Sequence, residues 1–511
     1  MAAMVASGFA GWWLTRSAIP PAAPAVPASL PKPRTALHDP APLPSKLGKR
    51  ETAIVRDSAA SEAGALQNQR SLVFSDRDAL DRFLDAAKGK GIAILGRIDR
   101  LNALHVGFLS LDELDSLLDG SEEADYVYPV NLPTPRTETE QDGVIGFGDN
   151  LLSWLGITGD NSNYGDGPTI AILDTGSTLP DARNVFLVDP PEDPADWNGH
   201  GTAVADLIRQ IAPSSDLYSW RIANDEGRSN SFLLSQGILA AVDSGVDIIN
   251  ISMGSYGNSA LLRSAVEVAR DAGIVIFASA GNEGYDQVAY PAAYEGVVSV
   301  GAVDANGQHL NFSNSGKVSM SAPGLDLVTA WTGGQRVYFS GTSASAPIAA
   351  GALAAAMSTG STRISSSQAY ERLSANFNEA GAPGYDADYG GGIIDFGRFM
   401  RAGTPGITDA AVASNYVSSS SNGRHQVQVT IENRGTEPLI NAPVNINTSS
   451  GTTTVYVNTL QAGGTTTFTV PLNLVEGGAT ISSSIQLSGG ASDLKPSNNV
   501  RTDVYTPPAS N

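Results

Sequence analysis

Apolar and polar positions along this chain change period three times, and each change marks a different kind of element. Between residues 66 and 131, short apolar runs alternate with amphipathic ones. RSLVF reads as a strand, SDRDALDRFLDAAKGKG as a capped helix, IAILGRID and ALHVGFL as two strands, SLDELDSLLDG as a second capped helix, and ADYVYPV as a last strand. Strand, helix, strand, strand, helix, strand is the split βαβ order of a small ferredoxin-like α+β domain.

From residue 146 to 403 the strands become continuous apolar runs, the pattern of a sheet buried on both faces. TIAILD, DLYSWRI, VDIINIS, GIVIFASA and GVVSVGAV are these strands; TAVADLIRQIA, SFLLSQGILAAVDSG, ALLRSAVEVARDAG and SAPIAAGALAAAMS are the helices between and after them. The expected fold class is α/β, a doubly wound, mostly parallel sheet whose ligands bind beyond the carboxyl ends of the strands. Residues 404–511 shift to Ser, Thr, Val, Asn and Gly. Segments such as HQVQVTIENRG and TTTFTVPLNL alternate with period two between turn residues, which predicts an immunoglobulin-like all-β sandwich.

The flanking segments carry no such periodicity. Residues 1–18 contain the uncharged apolar run AAMVASGFAGWWL, shorter than the roughly 20 residues of a membrane span and closer to an export signal or anchor. Residues 19–65, rich in Pro and Ala, read as an extended linker, and residues 132–145 as an exposed, cleavable connector.

Composition narrows the function classes. With 31 Lys and Arg against 52 Asp and Glu, the net charge is -21, which argues against nucleic acid or an anionic membrane as the main partner. The chain has no cysteine, so disulfides, thiolate metal sites and a cysteine nucleophile are all excluded, and an exported bacterial protein fits.

Chemistry is then sought where strands run into loops. Asp174 ends the strand TIAILD, His200 sits between glycines in NGHGTAVADLI, and Ser343 stands two residues after a glycine in SGTSASAP. Each has a plain reading: a turn former, a structural histidine, and a helix N-cap shared between Thr342 and Ser343. Together they are the three groups of nucleophilic catalysis, since a serine hydroxyl needs an imidazole to take its proton and the imidazole needs a carboxylate to orient it.

AILDTGS, NGHGTAVADLI and SGTSASAPIAAG, in the order Asp, His, Ser, resemble the three signature segments of the subtilisin-like serine proteases, whose chain order is the same. ASAGNEG resembles a fourth, whose Asn side chain helps bind an oxyanion; this resemblance places that role on Asn282 beside the backbone N–H of Ser343. Where the family usually continues Met-Ala-Ser/Thr-Pro-His after its serine, this chain has Ala344, Ser345, Ala346, Pro347 and Ile348. The resemblance implies a primary specificity slot between Ser252, Met253, Gly254 and Ala280, Gly281, Asn282, floored near Ala289. No charge lies in these two segments, so an apolar P1 side chain is expected, with Met253 as an adaptable wall. Substrate backbone would pair with the edges near Gly254 and residues 227–231, and Asp225 and Glu226 would favour basic residues farther along.

The resemblance further implies that residues 66–131 are an inhibitory, chaperone-like propeptide whose tail lies in the groove, with self-cleavage between about residues 130 and 147. Its partners would be protein or peptide substrates and its own propeptide, plus an unspecified ligand of the sandwich. No cofactor is required by the chemistry. Many relatives bind structural calcium, but here there is no D-x-D-x-D-G loop, only scattered Asp160, Asp166, Asp386 and Asp388. Two alternatives share the sequence: a processing protease for one partner, and a non-catalytic binding protein acting through the sandwich.

Overall fold

The computed structural model describes residues 56–133, 141, 143–360, 362–419, 424–474, 478–490 and 492–505. The signal-like segment 1–18, most of the 19–65 linker and residues 134–140 of the connector lie outside the described residues.

Strands β1 (Gln69–Phe74), β2 (Ile92–Ile98), β3 (Ala103–Phe108) and β4 (Glu122–Tyr126) form an antiparallel sheet in the order β2-β3-β1-β4. Its core is Leu72, Phe74, Leu80, Phe83, Leu104, Val106 and Phe108, supplied by alternate strand positions and the helix Arg77–Ala86, which Asp76 caps. The run ADYVYPV does not form one strand. It breaks after Tyr126, and its second half, β5 (Pro129–Asn131), leaves this sheet to pair with another domain. The physical reason lies in what the backbone meets there: the Val127 carbonyl turns back to Leu66 N–H at 2.8 Å, while Tyr128 exchanges bonds with Ser231.

The central domain holds seven strands in the order β13-β12-β11-β10-β6-β8-β7. They are β6 (Thr169–Asp174), β7 (Arg183–Phe186), β8 (Asp216–Arg221), β10 (Ile248–Ile251), β11 (Val275–Ser279), β12 (Val297–Val303) and β13 (Met320–Pro323), every adjacent pair parallel. A short strand, β9 (Arg228–Asn230), pairs with β5 outside this sheet. Helices pack on both faces, and two hydrophobic cores result, one around the helix Thr342–Ser358 and one under the helices Ser231–Asp243 and Ala260–Asp271. Asp174 ends β6, where the strand order reverses: β8 lies to one side and β10 to the other. That is the switch point at which doubly wound sheets open a crevice.

A hairpin of β14 (Leu327–Ala330) and β15 (Arg336–Phe339) precedes the long helix and was not legible in the apolar pattern. After it, β16 (Ala410–Ser419), β17 (His425–Asn433) and β20 (Thr465–Leu472) form one antiparallel sheet. The other contains β18 (Leu439–Thr448), β19 (Gly451–Leu460), β21 (Ala479–Ile485) and β22 (Val500–Tyr505), and the two enclose a core of Val, Ile, Leu and Ala. This sandwich is keyed to the central domain through a buried ion pair between Arg398 of the helix Phe396–Arg401 and Glu432 of β17. Arg434 adds a second contact to Glu432 at 2.9 Å, and the Glu379 N–H donates to it at 3.1 Å.

Among the described residues, no helix is long and apolar enough to cross a membrane. Within the expected connector, Gln141 bonds His309 and Asn311, and Ile145 N–H donates to Asp304.

Candidate active site

Asp174, His200 and Ser343 come from three separate elements, a strand end and two helix starts. Asp174 is fully buried. Its Oδ1 accepts from the Thr175 N–H at 2.8 Å and lies 2.9 Å from His200 Nδ1, with Oδ2 at 3.0 Å from the same nitrogen. A carboxylate straddling Nδ1 holds the proton there and leaves Nε2 as the basic nitrogen. His200 opens the helix His200–Ile211, and its backbone N–H is held by Asn198 Oδ1 at 3.0 Å. The glycines beside it are steric necessities. A Cβ on Gly199 would lie 2.2 Å from the Trp331 ring, and one on Gly201 would lie 2.3 Å from the Gly176 carbonyl. The imidazole is packed edge-on to Phe339 of β15, ring centroids 5.2 Å apart.

Ser343 is the second residue of a helix whose N-cap is Gly341, at φ 126°. The cap reading for the two hydroxyls does not hold. Neither caps its own helix: the first helical N–H, that of Thr342, is satisfied from outside by Asn282 Oδ1 at 2.9 Å, which also accepts from Thr342 Oγ1 at 2.8 Å. Asn282 therefore spends its oxygen on the helix start, which orients its Nδ2 away from those groups. Ser343 Oγ donates to the Ser252 carbonyl at 3.1 Å rather than to His200. Catalytic hydrogen bonds of unliganded sites commonly tighten only when substrate arrives.

Pro347 clarifies a second bond. It is the sixth helical residue and lacks the N–H that would bond to the carbonyl four residues earlier, that of Ser343. Ser252 Oγ donates to that carbonyl instead, at 3.0 Å, and is itself held by Asn250 Nδ2 at 3.0 Å. Thus Ser252 and Ser343 exchange two hydrogen bonds.

The segments 252–254 and 280–282 follow the ends of the paired strands β10 and β11, so they flank one slot. Ala289 closes it from below: its N–H donates to the Ala280 carbonyl at 2.9 Å, and a Cβ on Gly254 would lie 2.8 Å from the Ala289 methyl. Met253 points the other way, fully buried in the second core, so it is a packing residue here and not a free wall. Strand alternation between Ser252 and Met253 would have signalled this. The slot is not free of charge either. Glu283, immediately after Asn282, turns its carboxylate back onto the Asn282 N–H at 2.9 Å and accepts from the Tyr256 hydroxyl. Asp225 is committed elsewhere, to Arg221 at 2.7 Å and to the Asn198 N–H at 2.8 Å, which leaves Glu226 as the exposed acid of that loop.

The crevice is lined on both sides by the chain itself. β5 pairs antiparallel with β9, Asn131 and Gly254 exchange two bonds of 3.0 Å, and the Leu132 N–H donates to Gly227 O at 2.9 Å. The N-terminal domain docks behind this tail. Asp125 accepts from the Ala260 N–H at 2.7 Å, at the start of a helix where a carboxylate is favoured, and His105 stacks on Phe232 with centroids 5.2 Å apart.

Residues 165–392 match the Subtilase family. A thermostable alkaline protease of Halalkalibacterium halodurans is 36% identical over 249 residues, 46% of this chain and 68% of that protein. Subtilisin DY of Bacillus licheniformis is 33% identical over 245 residues, 44% of this chain and 88% of its own length. The chain belongs to the subtilase family. A mutant of the protease domain of PatA, a solved structure, is 28% identical with a TM-score of 0.44, covering 47% of this chain and 98% of that one. As a subtilase, the chain is a serine endopeptidase that acts on proteins or peptides.

Two of the scattered acids make local bonds. Asp160 accepts from the Ser162 N–H, and Asp386 from those of Asp388 and Tyr389, so both shape their own loops. Among the described residues no three His, Cys, Asp or Glu side chains gather as metal ligands.

Proposed function

We infer that this subtilase is an exported endopeptidase made as a self-processing zymogen, with Ser343 as nucleophile, His200 as general base and then acid, Asp174 as its orienter, and Asn282 Nδ2 with the Ser343 N–H as oxyanion donors. The observation that carries this reading is the two-pronged contact of Asp174 with His200 Nδ1, beside a helix start at which Asn282 is fixed by its oxygen. His200 Nε2 takes the Ser343 proton as the hydroxyl leaves the Ser252 carbonyl and attacks the scissile carbon. The tetrahedral oxyanion forms where the helix dipole and two N–H donors converge, and the imidazolium then protonates the leaving amine. Water repeats the sequence on the acyl-enzyme. Ser252, Gly254, Ala280, Gly281 and Ala289 form the P1 slot, which takes apolar side chains.

The zymogen reading is supported by β5, which occupies the crevice as a substrate strand would, between β9 and Gly254. Export is supported by the absence of cysteine and by the apolar run in residues 1–18. The test is expression of the wild-type chain beside Ser343→Ala in a protease-deficient host. Wild type yields a shortened product that a serine-directed phosphonate labels; Ser343→Ala stays full length and unlabelled. Equal shortening of both chains refutes self-processing, and labelling of the alanine variant refutes the assignment of the nucleophile.

A further inference from the structure

Tyr256 lies two residues beyond Gly254 on one wall of the slot, and its side chain crosses to the other. Its hydroxyl donates to Glu283 Oε2 and accepts from Asn314 Nδ2 at 2.7 Å. Asn314 is fully buried and ties the far wall together, donating to the Ala280 carbonyl at 3.1 Å and accepting from the N–H groups of Glu283 and Tyr285 at 3.1 and 2.9 Å. Tyr285 lies against the Tyr256 ring, centroids 5.3 Å apart, and the two residues remain 47% and 41% exposed. Burial, and then the bond to Glu283, push the Tyr256 phenol above its ordinary pKa, so it stays a donor across the working range.

We propose that Tyr256 is a specificity-determining residue: its phenol spans the slot mouth, locks the Glu283 carboxylate to the wall, and makes the slot select large apolar P1 side chains over Lys and Arg. The proposal rests on the reading that segments 252–254 and 280–282 receive P1. Glu283 Oε2 already serves the Tyr256 hydroxyl, the Asn282 N–H and, at 3.4 Å, Asn314 Nδ2. With Oε2 held by these donors, an incoming guanidinium gains its two-pronged ion pair only by displacing one of them and an ammonium is left with Oε1 alone, whereas an apolar side chain meets the two aromatic rings at no such cost.

The experiment compares matured wild type, Tyr256→Phe, Tyr256→Phe/Glu283→Gln and Ala289→Leu, on fluorogenic peptides that differ only in P1 as Phe, Leu or Lys, with active sites counted by phosphonate titration. Tyr256→Phe keeps the ring and removes the donor. The Lys-to-Phe ratio of kcat/KM rises about tenfold, the scale of one charge-assisted hydrogen bond, and the double variant returns it to the wild-type value. A ratio within about twofold of wild type in Tyr256→Phe, or a gain that survives Glu283→Gln, overturns the proposal. Ala289→Leu separates the two levels. If it narrows P1 toward small residues while Tyr256→Phe changes nothing, Tyr256 alone is misassigned; if it leaves the P1 profile untouched, the slot assignment falls and the proposal with it.

Discussion

Acid should loosen the N-terminal domain from the peptidase, and His105 sets the window. This residue sits in the middle of β3, buried, with Nε2 2.8 Å from Gln69 Oε1 and its ring against Phe232 of the peptidase. On the neighbouring strand the chain has Gly96, where a Cβ would lie 2.7 Å from the Phe232 ring, so the two surfaces are in close contact at this point. Burial pulls the imidazole from its ordinary 6.5 down to about 4. The sign follows from proton counting. Below pH 6.5 the undocked or unfolded domain binds a proton that the docked one refuses, so docking weakens as pH falls from 6.5 toward 4 and changes no further outside that window. At about 1.4 kcal/mol per pH unit, the full loss is about 3.5 kcal/mol, or roughly 300-fold in the docking equilibrium. The assay is hydrogen exchange on Ser343→Ala, read by mass spectrometry at pH 7, 5.5 and 4.5 with intrinsic rates corrected. Amides of β3 and of residues 228–243 lose protection together across the window. In Ser343→Ala/His105→Phe, whose ring cannot titrate, protection stays level. Flat protection in the parent, or an equal loss in the His105→Phe chain, would refute the reasoning.

Three further outcomes are expected. Asn282→Asp keeps the oxygen that holds Thr342 but removes the oxyanion donor; kcat falls by about 10²–10³, the cost known for the corresponding donor of subtilisin itself, with KM little changed, as steady-state kinetics will show. Antiparallel pairing of Asn131 with Gly254 carries Pro133 opposite Ser252, so self-cleavage falls at Pro133–Thr134; N-terminal sequencing of the mature product should read Thr134 first, and Pro133→Ala, which restores an N–H for the Ser252 carbonyl, should process faster. Glu432→Ala strands the buried Arg398 at the seam of the sandwich and destabilises the chain by about 3–5 kcal/mol, seen in urea titration as a lowered midpoint; a shift under about 1 kcal/mol would mean that the sandwich is not keyed through this pair.

What the sequence made legible was what local pattern controls. The buried strand runs located the parallel sheet, because a strand covered on both faces has to be apolar throughout. Asp174, His200 and Ser343 stood out because glycines mark the tight backbone beside them; at Gly199 the Trp331 ring leaves no room for a Cβ, and at Gly201 the Gly176 backbone leaves none. What stayed hidden depends on contacts between distant segments. No local pattern joins Tyr256 to Glu283 and Asn314, or announces that Asp225 is already held by Arg221. ADYVYPV looked like one strand because pleat alternation continues through it; the break appears only when β9 offers a second partner. The hairpin β14–β15, with Phe339 against His200, escaped because two four-residue strands carry too little periodicity.

The exchange of bonds between Ser252 and Ser343 has a mechanical consequence. A proline one turn after the reactive serine disconnects that serine's carbonyl from its own helix, and the hydroxyl of Ser252 fastens it to the sheet instead. The attacking oxygen is therefore indexed to the strand end that grips the substrate. A small axial shift of the long helix would therefore carry the strand end with it and leave the distance from nucleophile to bound peptide nearly constant.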